Sequence, residues 1–234
     1  LDFGPIGTLR HIDVSCNPKL ELLWVGGNPG LGVFQKKLDI SHNPRLKVLS
    51  IGNTMLEYPD CSGLVCLEEY SVGACRPLPL PDFSKMPNLL RLNIEYPVDE
   101  SGRQIGPIFD VDVSHNPLLM ELTVSAAALS LSDLSLNSQL RVFHCPHCNL
   151  GAMDLSVLPL LETLGVGDCG LSTLDISGLP ELKVLYADRN HLSSLNLSNN
   201  DKLEHLNINY SSISSIDLSG LSSLGAFYCD DNHL

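Results

Sequence analysis

Two histidines and two cysteines fall within five residues, His144, Cys145, Pro146, His147 and Cys148, and such a group can support two kinds of chemistry. Cys145 to Cys148 has the C-x-x-C spacing at which a helix N-terminus lowers a thiol pKa and prepares it for disulfide exchange. Two imidazoles and two thiolates are also a donor set for tetrahedral zinc. Both chemistries depend on the element underneath. Disulfide exchange needs a strand, a turn and then a helix, whereas zinc needs four donors aimed at one point. The stretch from Phe143 to Leu150 reads as strand with no helix to follow, and alternation sends His144 to one face and Cys145 to the other. The expected outcome is a core cysteine beside a surface histidine, with a metal site and a redox pair as the alternatives.

A second set of candidate ligands is a column of carboxylates: Asp13, Asp39, Asp60, Asp82, Asp112, Asp133, Asp154, Asp175 and Asp217, with Asn196 in the same series. Each is followed two places on by Ser and seven places on by Leu, and from Asp112 to Asp217 the spacing is 21 residues five times running. Calcium takes six to eight oxygens around one point, more than one side chain per repeat supplies. Asp or Asn with Ser two places on is turn chemistry, in which side chains take up backbone N–H groups of an irregular wall. Calcium is therefore the weaker reading of this column, and no cofactor is expected.

A fixed period of this length is the mark of a solenoid whose turns touch only their neighbours. Within each unit runs a segment such as Leu182, Leu185, Ala187, Asn190, Leu192, which reads L-x-x-L-x-L-x-x-N-x-L. Numbering from its first Leu, position four is occupied by Leu23, Leu49, Tyr70, Leu92, Leu122, Phe143, Leu164, Leu185, Leu206 and Phe227. Position six is occupied by Val25, Ile51, Val72, Ile94, Val124, Cys145, Val166, Ala187, Ile208 and Cys229. Both columns are apolar throughout and point the same way in an extended chain, so stacked copies bury a continuous core. The other half of each unit carries Pro18, Pro44, Pro87, Pro117, Pro159 or Pro180, which leaves no room for a long helix. Extended or 3₁₀ structure is expected there, on a convex wall, with parallel strands lining the concave side of a right-handed coil.

Units such as LDISHNPRLKVLSIGN and LSSLNLSNNDKLEHLNI resemble the leucine-rich-repeat family, and most closely the 21-residue repeats of bacterial internalin-like and gut-anaerobe cell-surface proteins. The resemblance covers almost the whole chain. It implies a leucine-rich-repeat solenoid (an α/β superhelix in class, here mostly β) of about ten repeats, secretion or surface display, and binding through the concave sheet. It carries no particular ligand, because one frame serves unrelated partners.

Departures from the repeat add detail. Position nine holds Asn28, Asn190 and Asn232, but elsewhere Thr54, Cys75, Pro97, Ala127, Cys148, Cys169 and Ser211, so a continuous Asn ladder is not expected. The cysteines at positions six and nine should pack inward as small hydrophobes. Cys61, Cys66 and Cys75 lie close enough in sequence for a bond within the trio to stay open if the protein is exported. The period is broken by insertions near residues 30–37 and 96–108. Such insertions map to edge loops.

Charge and composition narrow the function classes. Fourteen Lys and Arg against 27 Asp and Glu give a formal net charge of −13, a surface that repels phosphate backbones, so no nucleic-acid partner is expected. No apolar run approaches the roughly 18 residues of a spanning helix, so membrane insertion of this portion is not expected. No nucleophile, base and donor set recurs outside the periodic positions, and a non-enzymatic chain is expected. Residues 1–234 read as one leucine-rich-repeat domain. Its uncapped ends suggest a piece of a longer protein, with leader, anchor or further domain removed.

The concave positions change character along the chain. Early units display Gly26, Gly27, Ser50, Gly52, Ser71 and Gly73, whereas later ones display His144, His147, Tyr186, Asp188, Arg189, His205, Asn207, Asn209, Tyr210, Tyr228, Asp230 and Asp231. Aromatic side chains beside Arg, Asn and Asp have the composition of binding hot spots. These residues, together with Trp24, are the candidate partner-binding face. A protein ligand of an extracellular or cell-surface protein is the leading reading. A glycan-binding adhesion module, with Trp24, Tyr186, Tyr210 and Tyr228 stacked on sugar rings, is the alternative, and an architectural spacer is the third.

Overall fold

The computed structural model describes residues 8–73, 81–95, 111–125, 134–148, 150 and 153–234. Ten short strands form one parallel sheet in chain order: β1 (Leu22–Trp24), β2 (Val48–Ser50), β3 (Glu69–Gly73), β4 (Arg91–Glu95), β5 (Glu121–Ser125), β6 (Val142–His144), β7 (Thr163–Gly165), β8 (Val184–Tyr186), β9 (His205–Asn207) and β10 (Ala226–Tyr228). Register follows the repeat without slippage. Leu23 faces Leu49, Leu92 faces Leu122, and Leu185 faces Leu206, each pair sharing position four.

The inward columns explain that register. From Leu23 to Leu206 every position-four side chain is at most 1% exposed, and position six is equally buried from Val25 to Ile208. Burying one such side chain contributes roughly 1.5–3 kcal/mol. A slip of one residue would turn both columns outward.

Among the described residues the convex wall is built from turns and three short 3₁₀ helices, Phe83–Lys85, Leu134–Leu136 and Leu155–Val157. The Asp column holds that wall as expected of turn chemistry. In nine units the Ser N–H donates to the Oδ1 of the Asp or Asn two places earlier, at 2.9–3.1 Å. Asp82 and Asp154 thereby cap 3₁₀ helices.

A second amide column, four places after the Asp anchors, also braces this wall. Asn43, Asn116, Asn137 and Asn200 are fully buried. Each Nδ2 donates to two carbonyls of the preceding unit: Asn43 to Val14 and Asn17, Asn116 to Phe83 and Met86, Asn137 to Val113 and Asn116, and Asn200 to Ile176 and Leu179. In other units the same place holds Leu64, Met86, Leu158 or Leu179, which pack into the core.

The insertion near 30–37 folds back on the first unit. The Gln35 amide accepts from the Ile12 N–H and donates to the Ile12 carbonyl, both at 2.8 Å. Gly32 has φ +98, and a Cβ there would lie 2.1 Å from the Met55 backbone, so only glycine fits this bend. Phe34 projects from it, 76% exposed. The insertion near 96–108 lies outside the described residues, as do Cys75 and Asp133.

Two outcomes follow from the convex wall. Asn137→Ala removes two buried donors and is expected to lower unfolding free energy by about 1–3 kcal/mol, read from urea denaturation. The hydroxyl and N–H of the following Ser hold Asp39, Asp82, Asp112, Asp175 and Asp217 below the ordinary carboxyl value of 3.8, and the same two groups, N–H first, do so for Asp13 and Asp60. Groups depressed on folding contribute stability above their unfolded pKa and lose it as pH falls through the folded value. The urea midpoint should therefore be insensitive to these groups from about pH 7 to 5 and fall steeply below about pH 4. A midpoint unchanged down to about pH 2 would contradict this.

Candidate functional site

The concave sheet carries two unlike halves. Around β1 to β4, Gly26, Ser50, Gly52, Ser71 and Gly73 form a shallow hollow floored by backbone. A Cβ on Gly26 would lie 3.0 Å from the Gly52 carbonyl oxygen, and one on Gly73 would lie 2.9 Å from Glu95 Cβ, so a side chain at either glycine would crowd the next strand. Trp24 stands 47% exposed on β1, at the opposite end of the sheet from the other candidates.

From β6 to β10 the face is lined by rings. His144 meets Tyr186 with centroids 5.9 Å apart, Tyr186 meets His205 at 4.9 Å, and His205 meets Tyr228 at 5.2 Å, all edge to face. Such pairs contribute about 0.5–1.5 kcal/mol beyond area burial. His144 and Tyr186 lie two strands apart, with Gly165 of β7 between them. A Cβ on Gly165 would come within 3.1–3.2 Å of the His144 ring, so the absent side chain is what lets the imidazole lean across. Burial there holds the His144 pKa below its ordinary value, favouring the neutral ring.

Beyond the rings, every described unit from β6 onward turns through a left-handed residue at position eight: His147 (φ 60), Asp168 (54), Arg189 (55), Tyr210 (56) and Asp231 (54). The N–H groups of the first four still extend the sheet, each donating to the position-seven carbonyl of the next unit at 2.8–2.9 Å. In early units Gly27 and Asn53 make this turn. Asn, Asp and His tolerate the conformation, but Arg and Tyr pay about 1–2 kcal/mol for it.

Side chains at this margin pair across units. His147 Nδ1 lies 3.0 Å from Asp168 Oδ2, and the Arg189 guanidinium sits over the Tyr210 ring at 4.7 Å, its Nε 4.0 Å from Asp188. Asn207 Nδ2 donates to Asp188 at 3.4 Å, and the Asp230 N–H donates to Asn209 at 2.7 Å. The two histidines, two tyrosines, Asp188, Asn207, Asn209 and Asp230 thus share one face with the Arg189–Tyr210 pair on its rim. Trp24 does not join them.

The opposite margin carries an ion-pair ladder that lies outside the residues singled out from the sequence. Glu162 lies 2.6 Å from both Arg141 and Lys183. These cations hold the Glu162 carboxyl below its ordinary range, Lys183 first, while Glu162 raises Lys183. Alternating charge at position two, 21 residues apart, was the available signal.

Geometry decides the Cys-Pro-His-Cys question. Cys145 and Cys148 are buried and His147 is turned to Asp168. The Cys148 thiol donates weakly to the Val124 and Pro146 carbonyls, and Cys169 to those of Cys145 and Gly167. These are the contacts that Asn190 makes with its amide to Val166, Ala187 and Asp188. Thiols therefore fill the amide's place at position nine. Burial pushes Cys61 and Cys169 up to about 12 and raises Cys145 further. Among the described residues no two cysteines are joined by a disulfide, and no group of three or more His, Cys, Asp or Glu is placed to hold a metal.

No protein-family model and no curated protein matches the chain. Solved structures do match. A leucine-rich-repeat protein of Leptospira interrogans superposes with TM-score 0.73 at 21% identity, over 99% of this chain and 66% of that one. The functional domain of InlJ from Listeria monocytogenes, described as including a cysteine ladder, gives 0.71 at 22% identity, over 94% and 56%. The fold is the leucine-rich-repeat solenoid. The same fold is seen, over 94% of the chain, in the plant peptide hormone receptor RGFR1 in complex with RGF2 (TM-score 0.59, 18% identity, 41% of that chain) and in TLR13 in complex with ssRNA13 (0.63, 17%, 37%). The chain spans 56 to 66% of the length of the two bacterial neighbours.

In this leucine-rich-repeat solenoid the exposed Cys16 and Cys66 should react with iodoacetamide within minutes. Cys61, Cys145 and Cys148 should stay unlabelled until urea unfolds the chain, because the thiolate is the nucleophile. Peptide mass mapping reads the difference.

Proposed function

We propose that the chain is a non-enzymatic recognition scaffold that binds a protein partner through the concave face of its C-terminal units. The observation that carries this reading is the pair Arg189 and Tyr210, held at φ 55 and 56 where glycine would be unstrained. Backbone strain at non-glycine residues concentrates at functional sites. Here it sets a guanidinium and a tyrosine on the rim of an aromatic row, and both residue types are enriched in binding hot spots. The plant receptor complex of the same fold supports a protein or peptide ligand. The net charge of −13 weighs against the nucleic-acid partner of the RNA-bound neighbour. In this reading the chain belongs to a secreted or surface-displayed bacterial protein, as the likeness of its repeats to internalin-like units implies.

The test uses a peptide or protein ligand selected by display on the intact chain. Tyr186→Ala and Tyr210→Gly should each weaken binding at least tenfold. Tyr210→Gly should also hold or raise the urea midpoint, by up to about 1 kcal/mol in stability, since it relieves the left-handed turn. Unchanged affinity in both variants, or selective binding on a glycan array with no protein ligand found, would overturn the proposal.

A further inference from the structure

We infer that the partner's contact segment is basic: an extended stretch bearing arginine, laid across β8 to β10 so that guanidinium groups meet tyrosine rings backed by carboxylates. This rests on the concave-face reading and names the chemistry of its ligand. The solenoid already contains one instance of the arrangement, since Arg189 lies 4.7 Å over the Tyr210 ring with its Nε 4.0 Å from Asp188. One unit on, Tyr228 at position five stands beside Asp230 and Asp231 at positions seven and eight, a second ring with carboxylates in a different register. Tyr228 is 48% exposed, and neither Asp230 nor Asp231 has an ion-pair partner among the described residues. Tyr228 and Asp230 are two residues apart in extended chain, so their side chains point the same way about 7 Å apart. That spacing suits a planar cation that stacks on the ring while donating to the carboxylate.

Charge is distributed to match. On the position-two margin the ions neutralise one another, Arg141 and Lys183 clamping Glu162. On the opposite margin Asp188 lies near Arg189 and Asp168 beside His147, while Asp230 and Asp231 have no ion-pair partner among the described residues. A net charge of −13 adds long-range attraction for a basic segment and repels an acidic one.

The probe is a fluorescein-labelled decapeptide of alternating arginine and serine, followed by polarisation at about 50 and 300 mM salt, beside its lysine and glutamate counterparts. Two variants that lose equal charge separate a built face from general acidity: Asp230→Asn with Asp231→Asn on the concave rim, and Asp39→Asn with Asp60→Asn on the convex wall. The arginine peptide is expected to bind more tightly than the lysine peptide. Its affinity should fall at least tenfold in the rim variant and in Tyr228→Ala, and less than twofold in the convex variant. The inference is overturned if the arginine peptide does not bind, or if both charge variants lose affinity equally. Display selection that yields neutral or acidic ligands dependent on Tyr186 and Tyr210 would also overturn it, while leaving the protein-binding reading in place. If selected ligands ignore Tyr186 and Tyr210 as well, both fall.

Discussion

Each turn of this chain depends on the next for its hydrogen bonds. A strand of three residues cannot satisfy its own backbone, so the carbonyls and N–H groups of one unit are met by the unit 21 or so residues away. The same dependence governs the turns. Position-eight N–H groups reach the following unit, and the buried Asn43, Asn116, Asn137 and Asn200 reach back to the preceding one. Because buried polar groups left unpaired cost about 1–3 kcal/mol each, register errors are penalised at every rung, in addition to the loss of the Leu columns.

That dependence decides how much the sequence discloses. The inward columns were legible because they are written in residue type: Leu at position four and Val or Ile at position six can be read without coordinates. The Asp–Ser pairs were legible for the same reason, since few residues do that job. The buried Asn column was less so. Units such as the one with Leu158 fill the same place with a hydrophobe, and the amide expected of the repeat belongs to position nine, where Cys148 and Cys169 stand in as thiol donors. Left-handed turns at Arg189 and Tyr210 were hidden because neither residue advertises that backbone. Alternation alone separates the outward positions from the inward columns. The meeting of His205 at position three with Tyr186 and Tyr228 at position five depends on how strands stagger, which residue type does not report.

A division of labour runs along the concave sheet. In the first units glycine and serine keep the surface shallow, and an added Cβ at Gly26 or Gly73 would crowd the neighbouring strand. In the last units side chains rise from it, and Gly165 shapes the ring row by its own lack of one. The frame is constant across both halves, because positions four and six do not change character. Variation is confined to the outward positions, which is how one backbone plan presents different chemistry at its two ends.

The short separation between bonded partners also bears on how the polypeptide acquires its structure. Side-chain hydrogen bonds between units, such as those of Asn137 and Asn116, span 21 to 33 residues, and because closure entropy grows only with the logarithm of loop length, the closures along the array carry nearly the same loop entropy. No single region is privileged as a nucleus on these grounds. Once two adjacent turns have docked, ordering can spread in either direction one turn at a time, and fraying from the termini can retreat the same way without dissolving the middle.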